Sequence, residues 1–139
     1  MTRASERSNR LMLRARDEMD RTYPQPLDIA ALARIAYVSP AHFIRTYRAT
    51  FGETPHRYLQ RRRVERATFF LRDTDRTVTD ICLAVGFTSL GTFSRTFRAI
   101  VGSSPTQYRD RAQILAVPSC AAMAWTRVSS FGEAARQHG

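Results

Sequence analysis

Residues 43–58 read FIRTYRATFGETPHRY, and residues 93–108 read FSRTFRAIVGSSPTQY. Eight of the sixteen aligned positions are identical: Phe, Arg, Thr, Arg, Ala, Gly, Pro and Tyr recur in place. Tyr47 becomes Phe97, and Phe51 becomes Val101. A chain of 139 residues has room for one domain or two very small ones, so the repeat fills much of it. Two copies at a period near 50 residues describe a duplicated unit, because a solenoid needs three or more repeats.

The pattern around the repeat is helical. Residues 9–22 carry Leu11, Met12, Ala15 and Met19 at helical spacing, and the YPQP at 23–26 ends that helix. Asp28 is placed to cap a short helix with Ile29, Leu32 and Ala33 on one face. Ser39-Pro40 starts the next one, with apolar residues at 43, 47 and 51, and Gly52 stops it. Thr54-Pro55 opens a longer helix over 55–73 with Leu59, Val64, Ala67, Phe70 and Leu71 as its buried stripe; it would run about 27 Å. Its other faces carry Arg57, Arg61, Arg62, Arg66 and Arg72. The second half repeats this grammar. Thr77 and Asp80 resemble a capping box, and Val78, Ile81, Cys82 and Val85 answer Ile29, Leu32, Ala33 and Ala36. After Gly86 the spacing between copies grows by one, which puts an extra residue at the start of the next helix. Ser104-Pro105 opens a last short helix containing Tyr108, and no strand pattern precedes residue 113. The unit is helix, turn, helix, twice over, with a long helix between.

On a wheel of about 100° per residue, Phe43, Tyr47 and Phe51 face inward, while Ala41, Ile44, Arg45 and Arg48 share the opposite side. In the second copy Phe93, Phe97, Ile100 and Val101 face inward, and Gly91, Ser94, Arg95 and Arg98 face outward. Any core needs the aromatic stripe. An outward pair of arginines is ordinarily a solvated face, but packing constrains outward positions little, so its retention in both copies favours a retained partner. The net charge of +10, carried by arginine with no lysine, fits a polyanion. Part of that bias fits a GC-rich coding sequence equally well. The second helix of a helix-turn-helix enters the major groove, where arginine grips guanine O6 and N7 together. Two such helices on a linker helix reach successive grooves about 34 Å apart.

Other classes find little support. His42, His56 and His138 are scattered, and there is no HExxH, glycine-rich phosphate loop or nucleophile elbow, so neither enzyme, metal nor cofactor is expected. No apolar run approaches the ~20 residues of a membrane span, and the charged N-terminus lacks a secretory apolar core. That makes the cytoplasm the expected compartment. Cys82 and Cys120 lie far apart without CxxC spacing and are read as reduced, structural thiols.

The segment LARIAYVSPAHFIRTYRATFGETPHRYLQRRRVERA, and the pattern formed by Val85-Gly86-Phe87-Thr88-Ser89, Phe93, Phe97, Gly102, Ser104-Pro105 and Tyr108-Arg109, resemble the AraC/XylS family of bacterial transcription regulators over about residues 8–110. The resemblance implies an all-α fold of seven helices: a tandem helix-turn-helix with a first subdomain at 8–54, a linker helix at 55–73 and a second subdomain at 74–112. Residues 113–139 follow as a C-terminal extension, in which Val117, Met123, Trp125 and Phe131 would pack back on the domain; a mobile tail or a partner contact are the other readings. The reading helices would be 40–51 and 90–101. Base-reading would fall to Ala41, Ile44 and Arg45 in the first copy and to Leu90, Gly91, Thr92, Ser94 and Arg95 in the second. Phosphates would be held at Ser39, Arg48, Arg62, Thr88 and Arg98, and at His42, which otherwise faces solvent. Ile44 and Leu90 are apolar where family members often have polar readers, and Tyr37 stands where a turn glycine is common.

With only seven residues ahead of the first expected helix, the chain resembles the short stand-alone members that carry no N-terminal sensor. The expected activity is sequence-specific binding of double-stranded DNA as a monomer at a promoter site of about two helical turns, most readily as an activator contacting RNA polymerase. The competing reading is a non-specific or architectural nucleic-acid-binding protein driven by its charge.

Overall fold

The computed structural model describes residues 2–116. Seven helices and no strand are present among them: α1 Arg3–Arg21, α2 Ile29–Ile35, α3 Pro40–Phe51, α4 Pro55–Asp73, α5 Val78–Ala84, α6 Leu90–Val101 and α7 Pro105–Ala116. Each start is a side-chain cap that satisfies an orphan N–H. Ser39, Thr54, Thr77 and Ser89 accept from the backbone N–H three residues on, at 3.0 to 3.2 Å. Ser104 and Gln107 form a complete reciprocal box: the Ser104 hydroxyl accepts the Gln107 N–H at 3.1 Å, and the Gln107 side chain accepts the Ser104 N–H at 3.0 Å.

Three boundaries differ from the sequence reading. α1 begins at Arg3 rather than near residue 9, because Thr2 caps it by accepting from Ser5. α7 runs to Ala116, past residue 112, so it is not short. The extra residue of the second copy is Thr88, and it sits in the turn rather than in the helix. Val38 and Phe87 make the same backbone bond, to Ala33 at 3.1 Å and Cys82 at 3.0 Å, and only then do the copies diverge. Ser89, not Thr88, is the cap.

Two hydrophobic cores result. Met12, Ala15, Met19, Leu32, Ala33, Phe43, Tyr47, Tyr58 and Leu59 belong to the first, and Val64, Ala67, Leu71, Ile81, Cys82, Val85, Phe87, Phe93 and Phe97 to the second. α4 serves both, its first half closing one core and its second half the other. The duplicated stripe is a duplicated geometry: ring centroids lie 5.7 Å apart for Phe43–Tyr47 and again for Phe93–Phe97. Cys82 is a buried free thiol, and Cys120 lies outside the described residues.

The turn between the paired helices is left-handed in both copies, at Tyr37 (φ 59°) and Gly86 (φ 103°). The copies differ in what lies nearby. A Cβ at Gly86 would meet the Pro24 carbonyl oxygen at 2.8 Å and the Arg63 guanidinium at 2.9 Å. Tyr37 is 74% exposed, so an L side chain fits there at the cost of backbone strain alone.

Arg63 is the reason for the crowding at Gly86. Its Nε donates to the Tyr23 carbonyl at 2.8 Å and its Nη2 to the Gln25 carbonyl at 2.7 Å. Its guanidinium lies 5.9 Å from the centroid of Phe87. Burial lowers its pKa from the ordinary guanidinium value. Thus one side chain of α4 holds the α1–α2 connection and the second turn at once.

Four stability changes follow. Gly86→Ala should cost well over the ~1 kcal/mol of a simple left-handed glycine replacement, while Gly52→Ala, at φ 79° with nothing within 4 Å of its Cβ, should cost only about that. Tyr47→Phe should leave the chain as stable or raise its stability by up to ~1 kcal/mol, because the Tyr47 hydroxyl is buried without a hydrogen-bond partner and its counterpart is already Phe97. Arg63→Met should cost about 2 kcal/mol through two charge-assisted bonds. Urea melts of the four chains check all of these.

Candidate nucleic-acid interface

α3 and α6 are the second helices of their units, and each is fixed from behind by two fully buried rings, Phe43 and Tyr47 or Phe93 and Phe97. What lies opposite those rings is set by the helical period. Ala41, Ile44, Arg45 and Arg48 are exposed on α3; Leu90, Gly91, Thr92, Arg95 and Arg98 are exposed on α6. Ile44 is 39% and Leu90 45% exposed, large apolar surfaces left in water. Ser94, expected on the outer face, is half-buried, so it lies on the flank of α6 rather than at its crest.

The electrostatics of these helices are simple. Neither α3 nor α6 contains an acidic residue. Arg45, Arg48 and Arg98 make no hydrogen bond or ion pair with other described residues. Arg95 reaches only a weak contact, 3.4 Å from Nη2 to the Thr92 hydroxyl. It lies back toward the start of α6 over Gly91, where a Cβ would come within 3.3 Å of its Nη1. By contrast, the scaffold arginines are engaged. Arg61 pairs with Glu53 at 2.5 Å, and Arg62 with Asp20 and Glu65 at 3.1 Å each. Arg109 donates to the carbonyls of Leu71 and Thr74 at 3.1 and 3.2 Å. Arg16 stacks 4.2 Å over Phe51. Arginine therefore does two jobs: Arg16, Arg61, Arg62, Arg63 and Arg109 tie parts of the scaffold together, and on α3 and α6 its charge is left for something outside.

Of the positions named for phosphate contact, Ser39 is the α3 cap, exposed, and His42 lies one turn in, also exposed. Thr88 is exposed in the turn ahead of the Ser89 cap. Arg62 stands apart from α3 and α6, bridging α1 and α4; a phosphate there would compete with two carboxylates. The sequence reading missed Arg63. Its signal was the glycine kept at position 86 where the first copy has Tyr37: a glycine retained in one copy alone marks a close approach by something else. Among the described residues no group of His, Cys, Asp and Glu has the arrangement of a metal site, and no helix is long and apolar enough to cross a membrane.

Two helix-turn-helix units strung on one helix, each presenting an acid-free helix with unpartnered arginines, define a tandem helix-turn-helix protein. Comparison with known proteins agrees. Residues 32–111 match the family model described as a helix-turn-helix domain. The fold resembles an AraC-type DNA-binding domain protein from Chromobacterium violaceum (28% identity, TM-score 0.70, covering 76% of this chain and 94% of that one). It resembles equally the DNA-binding domain of AdpA, a global transcriptional factor solved in complex with a target DNA (28% identity, TM-score 0.70, 76% and 95% covered). The chain belongs to the AraC-type family of helix-turn-helix transcription regulators. A longer relative is AdaA of Bacillus subtilis, named as a bifunctional transcriptional activator and DNA repair enzyme, 32% identical over 71 residues. Those residues are 51% of this chain and 34% of AdaA, so the chain spans about a third of that protein's length.

Because Arg48 and Arg98 hold nothing in the fold, Arg48→Gln and Arg98→Gln should each leave the thermal midpoint within about 1 °C of the parent. A loss of several degrees in either would show that the side chain is structural after all.

Proposed function

We propose that this protein regulates transcription by binding a specific double-stranded DNA site with α3 and α6 in successive major grooves. The single observation that carries the reading is the recurrence of an outward arginine pair, Arg45 and Arg48 on α3 and Arg95 and Arg98 on α6, unpaired or nearly so and free of neighbouring acid on its own helix. Base edges fall to Ala41, Ile44, Arg45, Leu90, Gly91, Thr92 and Arg95, with Ser94 at the margin. Ile44 and Leu90 suit thymine methyl groups. Arg48, Arg98, His42 and the N–H groups at the capped helix starts near Ser39 and Thr88 hold phosphates and set register. Since the two copies already supply two reading helices, a monomer spans a site of about two helical turns that need not be palindromic. We read the protein as an activator that contacts RNA polymerase in the bacterial cytoplasm; AdaA, an activator by name, supports that part over the matched third of its length.

Selection of bound duplexes from a random pool tests the central claim and should return two short motifs one helical turn apart. Arg95→Ala should then weaken binding by ~1–3 kcal/mol and relax preference at one base of one motif only. Arg48→Gln or Arg98→Gln should instead weaken all sequences alike and lower the salt slope by about 0.9 each. A random duplex bound as tightly as the best selected one would replace the regulator with a charge-driven architectural protein.

A further inference from the structure

α1 is longer than the sequence pattern requires, and its first turns carry a feature that the reading of α3 and α6 does not use. Met12, Ala15 and Met19 are its buried face. On another side Arg3, Arg7, Arg10 and Arg14 succeed one another at steps of four, three and four residues, all exposed. At 100° per residue these positions fall within an arc of about 60°, in a line about 16 Å long. None is held by a hydrogen bond or ion pair to another described residue, although Glu6 and Asp17 flank the line. Arg21, further along, is answered by Glu18 at 2.6 Å.

The line continues onto the α3 flank. Arg7, Ser8 and Leu11 form one wall of an open groove of about 280 Å³, and Tyr37, His42 and Thr46 form the opposite wall. His42 and Thr46 border the exposed face that carries Arg45 on the same helix. Tyr37 occupies the left-handed turn position with its ring 74% exposed, so its hydroxyl is free to donate beside Arg7 and His42.

We propose that Arg3, Arg7, Arg10 and Arg14 form an accessory edge that grips the phosphate backbone of the same duplex beyond the outer end of the α3 half-site. The proposal rests on the reading of α3 as a groove-inserted helix. Four guanidinium groups in a straight line match a polyanion of regular spacing, and arginine forks match phosphate oxygens. No apolar side chain interrupts the line, whereas a protein partner would call for a desolvated aromatic or aliphatic anchor. The groove makes the edge continuous with an acid-free helix of the same sign. Contact therefore extends outward on the α3 side and has no counterpart beyond α6, which gives the bound complex a lopsided footprint.

The test uses the full chain and two duplexes bearing the selected site, one with about one helical turn of flanking DNA beyond the α3 half-site and one cut at its edge. The α3 half is the one whose preference relaxes in Arg45→Ala. On the flanked duplex, Arg3→Gln/Arg7→Gln/Arg10→Gln/Arg14→Gln should flatten the dependence of log K on log salt by about 3 to 4, at ~0.9 per phosphate contact. On the cut duplex it should match the parent. Lysine at all four positions should restore the slope, and the selected sequence should be unchanged throughout. An unchanged slope on the flanked duplex overturns the proposal, and so does an equal loss on both duplexes, which marks a general charge effect. A parent chain without sequence preference overturns the reading of α3 and α6 and this one with it; an intact preference with unchanged slopes overturns this one alone.

Discussion

The contact on which the rest of the architecture depends is the Arg63 guanidinium, midway along α4. It bonds two carbonyls of the α1–α2 connection and lies against Phe87 and Gly86 at the second turn. The two hydrophobic cores are separate clusters, linked by Tyr23, which packs against both. Their shared element is α4, and a helix alone sets a distance but leaves rotation about its axis to side-chain packing. Arg63 adds a contact of its own: it holds the α1–α2 connection at Tyr23 and Gln25, and its guanidinium and the Pro24 carbonyl lie against Gly86 of the second turn. Part of the contact between the two units is thus made by a residue on neither α3 nor α6.

The asymmetry of the two turns follows from the same contact. Glycine at position 86 is required by Arg63 and Pro24, whereas the first turn has no such neighbour and carries Tyr37 under strain. A left-handed tyrosine with most of its ring in water is an unusual choice for a scaffold. Its ring and hydroxyl stand beside Arg7 and His42 in the groove between α1 and α3. The copies therefore differ in whether the turn is packed against the rest of the fold or open to solvent.

Much of this was legible in the sequence. Caps and stops at Ser39 and Gly52 are local physics, and they located α3 to the residue, whereas the bounds of α6 came from the resemblance. The inner and outer faces followed from the aromatic period. What failed was non-local or marginal. Thr2 caps α1 ahead of any apolar residue, so periodicity could not see the first turns that carry Arg3 and Arg7. Thr88 and Ser89 are both plausible caps, and only the matching bonds of Val38 and Phe87 show which one the turn had displaced. Arg62 and Arg63 are neighbours of the same type; one meets two carboxylates and the other two carbonyls and a ring. Glu65 follows Arg62 by three residues, but Asp20, Tyr23 and Gln25 lie some forty residues away, and no local pattern assigns them.

The two units also hold themselves together by different means, and this bears on how they tolerate change. In the first, Glu53 pairs with Arg61, and Asp20 with Arg62. In the second, the position matching Glu53 is Ser103, buried without a partner for its hydroxyl, and Arg111 is exposed. Ring packing is common to both, through Phe87, Phe93, Phe97 and Tyr108 at 5.2, 5.7 and 5.8 Å here and through Phe43, Tyr47 and Phe51 at 5.7 and 4.7 Å in the first, so what distinguishes the first unit is its added ion pairs. Ion pairs that are partly exposed weaken with salt, and ring packing does not. Salt therefore acts twice on the first unit, through its scaffold and through any phosphate it holds, and once on the second. A duplicated fold can in this way give its two units unequal sensitivity to ionic strength.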